Sequence, residues 1–149
     1  MAGPGVQHKS DPSCIFCRIV AGEIPALRIL EDDHALAFID IGPLADGHAL
    51  LVPKNHYRDL RDLPPETLAA MSTHLPRLAS AVMQATGATG LNLLQNSGAS
   101  SGQAVFHVHF HLIPRREGDG LGYPWKARSY AAGAADAWRQ RIADALPPV

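Results

Sequence analysis

Three histidines alternate with apolar residues in the segment FHVHFHLIP, which spans residues 106–114. Side chains of a β-strand point alternately to its two faces, so His107, His109 and His111 should share one face, with successive rings about 6.5–7 Å apart. The apolar residues between them should then face the hydrophobic core. This spacing lets neighbouring imidazoles act on one substrate, one metal ion or one chain of hydrogen bonds.

We favour a catalytic role for the three histidines on this face. The alternative is a half-buried strand that carries histidines on its outer side. Three like charges in a row would repel each other, so at least one imidazole should be neutral. A neutral imidazole can serve as a nucleophile or a metal ligand, and a protonated neighbour can serve as a general acid. The three rings cannot all bind one zinc ion at about 2.0–2.1 Å unless the strand distorts.

A loop rich in glycine and serine, NSGASSGQ at residues 96–103, directly precedes the histidine segment. Its small residues leave backbone N–H groups accessible, and such loops can bind anions. A glycine- and serine-rich loop alone is only a turn. Beside a nucleophilic imidazole it predicts a phosphate-binding loop.

Cys14 and Cys17 are the only cysteines of the chain and form a C-x-x-C pair. This spacing supplies half of a zinc site. The alternatives are a free buried pair and a redox dithiol, but no thioredoxin-like βαβ pattern surrounds the motif. The other zinc ligands must lie elsewhere in the chain, because the sequence has no second C-x-x-C.

The elements that position these residues follow from apolar periodicity and turn signals. Strands are predicted at 27–30, 35–39, 48–52, 90–95 and 104–113. Helices are predicted at 13–20, 64–87 and 134–146. Pro76 should kink or divide the second helix, and Trp138, Ile142 and Leu146 should share one face of the last. Short turns favour antiparallel pairing, so we predict an α+β fold with a mostly antiparallel sheet and helices packed on one face.

The composition predicts one globular domain at 13–149, preceded by a flexible arm at 1–12. Hydrophobic residues make up 46% and charged residues 18%, which is typical of a folded chain. The net charge of −1 argues against a broad nucleic-acid-binding surface, although a single nucleotide needs only a few donors. No apolar run approaches the ~20 residues that span a bilayer, and the N-terminus lacks the apolar core of a secretion signal. We therefore expect a cytoplasmic protein with no membrane or nucleic-acid partner.

The segment HVHFHLIP resembles the signature of the histidine-triad (HIT) family. The segments CIFCRIVAGEIPA, HALAFIDIGPLADGHALLVPKNH and GLNLLQNSG follow the family pattern in order, so the resemblance covers Cys14 to about Trp125. It is strongest to bacterial Hit and Hint-like members with an N-terminal C-x-x-C. The resemblance implies a five-stranded sheet with one long helix and a C-terminal helix, and a homodimer whose sheets join into one continuous sheet.

The resemblance also implies an enzyme that hydrolyses or transfers at the α-phosphorus of a purine nucleotide derivative. Phosphoramidates, dinucleoside polyphosphates and adenylyl esters are the substrate classes. His109 would be the nucleophile that forms a nucleotidyl-histidine intermediate. His111 would orient the phosphate and protonate the leaving group, and His107 would support the middle ring. No catalytic metal is expected.

The family pattern further assigns the nucleotide contacts. Asp40 matches the acidic residue that holds the ribose hydroxyls, and Asn96 and Gln103 match polar residues that contact ribose and phosphate. The positions that hold the base fall on Ile15, Phe16, Phe38 and Ile39. Ala104 departs from the pattern, because many relatives carry there a serine that touches the phosphate. Its backbone N–H can still serve, but substrate preference or rate can differ.

Bacterial relatives suggest His56 and His107 as the missing zinc ligands. With the two cysteines they would form a closed Cys₂His₂ tetrahedron, which is the geometry of a structural site. The remaining histidines receive no chemical role and are His8 in the arm, His34 in a turn, His48 at the start of a strand and His74 on the helix. Two other functions stay open: a nucleotide-binding or scaffolding module with incidental turnover, and a metal-binding protein that uses the histidines and cysteines together.

Overall fold

The computed structural model describes residues 8–122 and 127–149, which form a five-stranded sheet and four α-helices. The strands are β1 (Arg28–Glu31), β2 (Ala35–Ile39), β3 (Ala49–Pro53), β4 (Gly90–Gln95) and β5 (Phe110–Arg115). The helices are α1 (Ile15–Val20), α2 (Pro65–Ser72), α3 (Leu75–Thr86) and α4 (Ala134–Asp144). The strand order is β1-β2-β3-β5-β4, and all neighbouring strands are antiparallel. The predicted α+β architecture is confirmed.

Both faces of β2 and β3 are covered, because their sequences ALAFI and ALLVP are apolar at every position. One face carries small residues such as Ala37 and Ala49, and residues of α2 and α3 pack against it. The opposite face carries larger residues such as Phe38 and Leu50, and α1 covers it. The prediction that all helices pack on one face is therefore wrong. A sheet that is apolar on both sides needs cover on both.

The predicted helix at 64–87 is divided into α2 and α3, as Pro76 required. Pro76 lies in the first turn of α3, where its missing N–H costs no helical hydrogen bond. The helix ends at Gly87, whose φ of 67° lies in the left-handed region that glycine adopts without strain. The division lets two short helices follow the same face of the sheet.

The last strand begins at Phe110 and not at residue 104 as predicted. Its ladder with β4 ends at the pair Gln95–Phe110, and its ladder with β3 ends at Leu51–Phe110. Farther along β3, Pro53 has no backbone N–H and so cannot donate a hydrogen bond that would extend the ladder. The segment 104–109, with two of the three histidines, therefore precedes the strand.

The predicted alternation of side chains persists in this segment although the ladder has ended. Val108 packs in the core on the side of α2 and α3. His107 and His109 lie on the other side, edge-on to the ring of Phe16 in α1. A hydrogen bond of 2.7 Å from the Val108 N–H to the carbonyl oxygen of Tyr57 fixes this orientation without a strand partner.

The two ends of the described chain differ in how they attach to the sheet. Residues 1–7 of the predicted arm lie outside the described residues, as does Trp125. The Lys9 carbonyl accepts a 2.7 Å hydrogen bond from the backbone of His56, so this part of the arm is tied down. The predicted C-terminal helix is present as α4, but its apolar residues Trp138 and Ile142 are 51% and 63% exposed. Among the described residues, no helix is long and apolar enough to cross a bilayer.

Asp32 joins the turn between β1 and β2 to the junction of α2 and α3. Its carboxylate accepts hydrogen bonds of 2.8 Å from the backbone N–H groups of His34 and Ala35, and it lies 2.6 Å from Nε2 of His74. Burial alone would raise the pKa of Asp32. The hydrogen bonds outweigh burial and lower the pKa to about 2.

This contact predicts a pH-dependent loss of stability. A carboxyl group whose pKa is lower in the folded than in the unfolded chain stabilises the fold above its ordinary pKa, and that contribution disappears as the pH falls through the folded value. We expect Asp32→Asn to lower Tm by about 3 °C at pH 6, because about 1 kcal/mol is lost from a partly exposed pair. In calorimetry the difference should shrink as the pH approaches 2. The neighbouring control Asp33→Asn should show no such trend, and a pH-independent difference for Asp32→Asn would contradict the interpretation.

Candidate active site

A cleft of about 540 Å³ opens between α1, the end of β2 and the segment that carries the histidines. Its walls are mostly apolar. The predicted site residues that line it are Ile15, Phe16, Phe38, Ile39, Asp40, Asn96, Ala104, His109 and His111. The predicted residues Gln103 and His107 are buried and do not line the cleft. The fold therefore brings together residues that are up to 96 positions apart in the chain.

An aromatic wall closes one side of the cleft. The ring of Phe16 lies edge-on to the ring of Phe38, with centroids 5.5 Å apart. Phe16 is also edge-on to the ring of His109 at 5.1 Å. Phe16 and Phe38 are buried, whereas Ile15 is partly exposed. A flat apolar ligand such as a nucleobase fits this wall.

The backbone holds His109 in one tautomer. Its Nδ1 lies 2.7 Å from the carbonyl oxygen of His107, and because a carbonyl only accepts, Nδ1 carries the proton. Nε2 of the neutral ring is then left with a free lone pair. Burial lowers the pKa of His109, although the hydrogen bond to His107 and the charge of Asp40 oppose this effect. A neutral imidazole with an exposed lone pair of this kind can act as a nucleophile.

A second chain of hydrogen bonds ends at His111. The backbone N–H of Leu44 donates to Nδ1 of His48 at 3.0 Å, so a neutral His48 carries its proton on Nε2. That Nε2 lies 2.9 Å from Nδ1 of His111, which must accept. His111 then carries a proton on Nε2. Its ring centre lies 4.9 Å from that of His109, so an N–H group lies beside the free lone pair of His109.

Burial favours the uncharged forms of His48 and His111. It lowers the pKa of His111 to about 4, together with the nearby rings of His109 and His48, while Asp40 opposes the shift. Burial also lowers the pKa of His48. A phosphate anion beside His111 would favour its protonated form and raise the pKa. His111 can therefore take up a proton when an anion binds and donate it afterwards.

Asp40 lies just after β2 at the edge of the cleft. One carboxylate oxygen accepts a 2.8 Å hydrogen bond from the Gly42 N–H, and the other lies 3.7 Å from Nε2 of His48. Asp40, His48 and His111 also offer possible metal-ligating atoms within 4.8 Å of one another. Both nitrogens of His48 already take part in hydrogen bonds, so this set fits a proton relay better than a metal site.

Gln103 maintains the shape of the loop that precedes the histidines. Its Oε1 accepts a 2.7 Å hydrogen bond from the Gly98 N–H, and its Nε2 donates to the carbonyl oxygens of Arg58 and Val105 at 2.7 and 3.1 Å. Both amide hydrogens of Gln103 are engaged, so a contact with a ribose hydroxyl would fall to the second lone pair of Oε1. Gly102 has a φ of 101°, so the loop needs glycine there.

Cys14, Cys17, His56 and His107 form a second group, here named the cysteine cluster. Nδ1 of His107 lies 3.5 Å from both sulfur atoms and 3.3 Å from Nδ1 of His56. Nδ1 of His56 lies 3.3 Å from Sγ of Cys17. Nε2 of His107 donates to the Pro53 carbonyl at 2.8 Å, so the Nδ1 lone pair faces the cluster.

Burial favours the uncharged forms of the side chains in the cysteine cluster. Burial lowers the pKa of His107 to about 4, although its bond to Pro53 opposes the shift. Burial raises the pKa of the Cys14 thiol. A neutral histidine is ready to bind a cation, and a bound cation would stabilise the thiolate form of the cysteines.

Comparison with known proteins identifies the family. Residues 21–118, more than half of the chain, match the model of the HIT domain. The chain belongs to the HIT family. This HIT protein is 46% identical over 116 residues to an adenylylsulfatase of Arabidopsis thaliana, a match that covers 78% of this chain but only 57% of the plant protein. It is 45% identical over 119 residues to an adenosine 5′-monophosphoramidase of Saccharomyces cerevisiae, covering 79% and 73% of the two chains.

Solved structures of HIT proteins share the fold. A HIT family protein from Bacillus subtilis superposes with a TM-score of 0.86 at 38% identity, over 92% of this chain and 99% of that one. A zinc-bound histidine triad family protein from Mycobacterium smegmatis superposes with a TM-score of 0.70 at 40% identity, over 89% and 97%. The predicted bacterial HIT fold is confirmed.

His48 belongs to the site of this HIT protein, although the sequence analysis gave it no chemical role. Its side chain is 2% exposed, and its ring centre lies 5.1 Å from that of His111. The signal was present in the strand period, because position 48 shares a face with Leu50, and the register pairs Leu50 with His111. This signal points to His111 only once β3 is known to pair with β5, and the sequence alone did not predict that pairing.

Proposed function

We propose that this HIT protein cleaves a purine nucleotide derivative at the α-phosphorus through a nucleotidyl intermediate on His109, by hydrolysis or nucleotidyl transfer. The observation that carries the proposal is the free Nε2 lone pair of His109 beside the Nε2–H of His111, at the apolar cleft. The relatives named as an adenylylsulfatase and an adenosine 5′-monophosphoramidase support an adenylyl substrate.

The proposed reaction has two displacements. His111 first takes up a proton from solvent when the phosphate anion binds beside it, and becomes an imidazolium. Nε2 of His109 attacks the phosphorus, and the bond to the leaving group breaks as His111 passes its Nε2 proton to that group. His111 is then neutral and accepts a proton from a water molecule that attacks the phosphorus. The bond to His109 breaks, and the nucleoside monophosphate leaves with His109 neutral again. Two displacements replace one difficult step with two easier ones.

The charge of the cleft favours a substrate with a single charged phosphate at the reacting centre. None of the described residues that line it is lysine or arginine. Among the described residues, histidine N–H groups and backbone N–H groups of the loop at 96–103 are the donors available to the phosphate. A phosphoramidate places less negative charge in the cleft than a dinucleoside polyphosphate does.

A substrate panel tests this proposal. Adenosine and guanosine phosphoramidates, adenylyl sulfate and diadenosine polyphosphates are incubated with the protein, and nucleoside monophosphate release is followed by chromatography. Acid quenching and peptide mass spectrometry should find a nucleotidyl adduct on His109. If no member of the panel is turned over, or if the adduct lies on another residue, the proposal is wrong.

We also propose a structural zinc ion in the cysteine cluster. A tetrahedral zinc ion with ordinary bond lengths separates two nitrogen ligands by about 3.3 Å and a nitrogen from a sulfur by about 3.6 Å. In the cluster the nitrogens are 3.3 Å apart, and three of the four nitrogen–sulfur distances are 3.3 to 3.5 Å. The residues therefore fit zinc, and the zinc-bound relative from Mycobacterium smegmatis supports it. Four protein ligands close the site, which supplies stability and not catalysis.

Metal analysis tests the zinc proposal. We expect about one zinc ion per chain after purification without added metal, because four deprotonated or neutral ligands bind zinc far more tightly than buffers do. Cys17→Ser should lower the content to below about 0.2 per chain. The control His34→Ala changes an exposed histidine outside the cluster and should keep the metal. A wild-type protein with little zinc and two freely titratable thiols would contradict the proposal.

We further propose the homodimer and the cytoplasmic location that the resemblance and the sequence suggested. β4 is an edge strand of the sheet, and Leu93 on it is 49% exposed. An edge strand presents unpaired backbone groups, and a second copy can pair with them to continue the sheet.

A further inference from the structure

Helix α1 lies between the cysteine cluster and the nucleotide cleft and contributes to both. Cys14 is its N-cap residue and Cys17 lies within it, so the helix carries both sulfur atoms. Ile15, Phe16 and Ile19 of the same helix line the cleft. One short element thus carries half of the proposed metal ligands and one of the two phenylalanines of the aromatic wall.

This helix is too short to keep its position by itself. It has six residues, and isolated helices shorter than about 12–15 residues are marginal in water. Its N-cap acceptor is the sulfur of Cys14, 3.5 Å from the Cys17 N–H, and sulfur is a weak acceptor. Anchoring by the cysteine cluster would supply the stability that the helix lacks.

A second connection runs through His107. Its side-chain Nδ1 belongs to the cysteine cluster, and its main-chain carbonyl accepts the Nδ1–H of His109 at 2.7 Å. The same residue therefore faces the proposed metal with its ring and fixes the orientation of the proposed nucleophile with its backbone. Phe16, edge-on to both rings, links the two connections.

We propose that the cysteine cluster, with its metal bound, holds the base-binding wall and the nucleophile in place, so that Cys14, Cys17 and His56 are positioning residues for nucleotide binding. The inference rests on the zinc site and the nucleotide site proposed above. Loss of the metal then weakens nucleotide binding by loosening α1, although the metal itself does not touch the nucleotide.

His56 is the residue that isolates this effect. Its ring contacts Cys17 and His107 within the cluster, whereas it lies outside α1 and outside the lining of the cleft. His56→Ala therefore removes one metal ligand without changing a residue that could touch the nucleotide. His56→Cys restores a four-ligand Cys₃His site, which zinc also accepts. His34→Ala, in the exposed turn between β1 and β2, is the matched control.

The experiment measures zinc content, the Kd of adenosine monophosphate by calorimetry, KM and kcat with an adenosine phosphoramidate, and hydrogen exchange of residues 15–20. We expect His56→Ala to lose zinc and to raise Kd and KM about tenfold, within the range seen when residues that support a site are removed. Its kcat should fall less than its KM rises, and exchange at residues 15–20 should become faster. His56→Cys should restore all of these values, and His34→Ala should change none.

Chelation of zinc from the wild-type protein, followed by zinc addition, gives the same comparison if His56→Ala fails to fold. A zinc-free protein that binds adenosine monophosphate with the wild-type Kd and exchanges residues 15–20 at the wild-type rate would overturn the inference, as would a wild-type protein without zinc. Failure of the proposed reaction is seen separately. In that case the whole panel is inert, while Kd and hydrogen exchange still respond to the metal.

Discussion

Replacement of His109 by asparagine is expected to lower kcat with an adenosine phosphoramidate at least about 10³-fold, because loss of a covalent nucleophile removes the whole pathway through the intermediate. The Kd for adenosine monophosphate should stay within about threefold, since Phe16 and Phe38 still form the wall for the base. The nucleotidyl adduct should disappear from quenched samples. Steady-state kinetics, calorimetry and mass spectrometry measure the three quantities.

The smaller variant His109→Gly makes this test stricter. It leaves a cavity beside Phe16 in which free imidazole can take the place of the lost ring. Added imidazole should restore part of the activity in a saturable manner, with no effect on the control His34→Gly. Retention of turnover by His109→Asn, or a nucleotidyl adduct that persists in it, would show that another group attacks the phosphorus.

Features that depend on neighbours in the sequence were predicted well. The alternation of His107, His109 and His111 with apolar residues needs only the period of an extended chain, and it survives in the fold even where the β5 ladder has ended. The spacing of Cys14 and Cys17 likewise fits one turn of a short helix. Local geometry decides these features, so no long-range information was needed.

Features that depend on pairing between distant strands could not be predicted in the same way. β5 starts at Phe110 because its pairing with β3 and its pairing with β4 both end there, and the segment itself does not reveal either partner. The role of His48 appears only when β3 and β5 are placed side by side. Sequence period gives the face of a residue, whereas strand order decides what that face meets.

Gln103 illustrates a third kind of limit. A polar residue in a loop beside a proposed phosphate site is expected to contact the ligand. In the fold its side chain is buried and bonded to three backbone groups of the protein. Buried backbone groups need partners, and which side chain supplies them depends on how the loop closes against residues 45 positions earlier, at Arg58.

His111→Ala should have the second-largest effect, and its size should depend on the leaving group. With a phosphoramidate of an alkyl amine, we expect kcat/KM to fall about 10²–10³-fold, because the amine needs a proton from a general acid to depart. With the p-nitrophenyl ester of adenosine monophosphate, the loss should be less than about tenfold, since p-nitrophenolate departs without a proton. Parallel kinetics with the two substrates measure the difference.

The relay behind His111 gives this prediction its internal control. His48 contacts His111 through a 2.9 Å hydrogen bond and takes its own orientation from the Leu44 N–H. His48→Ala should therefore lower kcat/KM for the amine substrate about tenfold, with the same preference for the activated ester, because it acts through His111. His48→Gln keeps a donor that can reach Nδ1 of His111 and should recover part of the loss. Equal losses of His111→Ala on both substrates would mean that the ring binds the phosphate and transfers no proton to the leaving group.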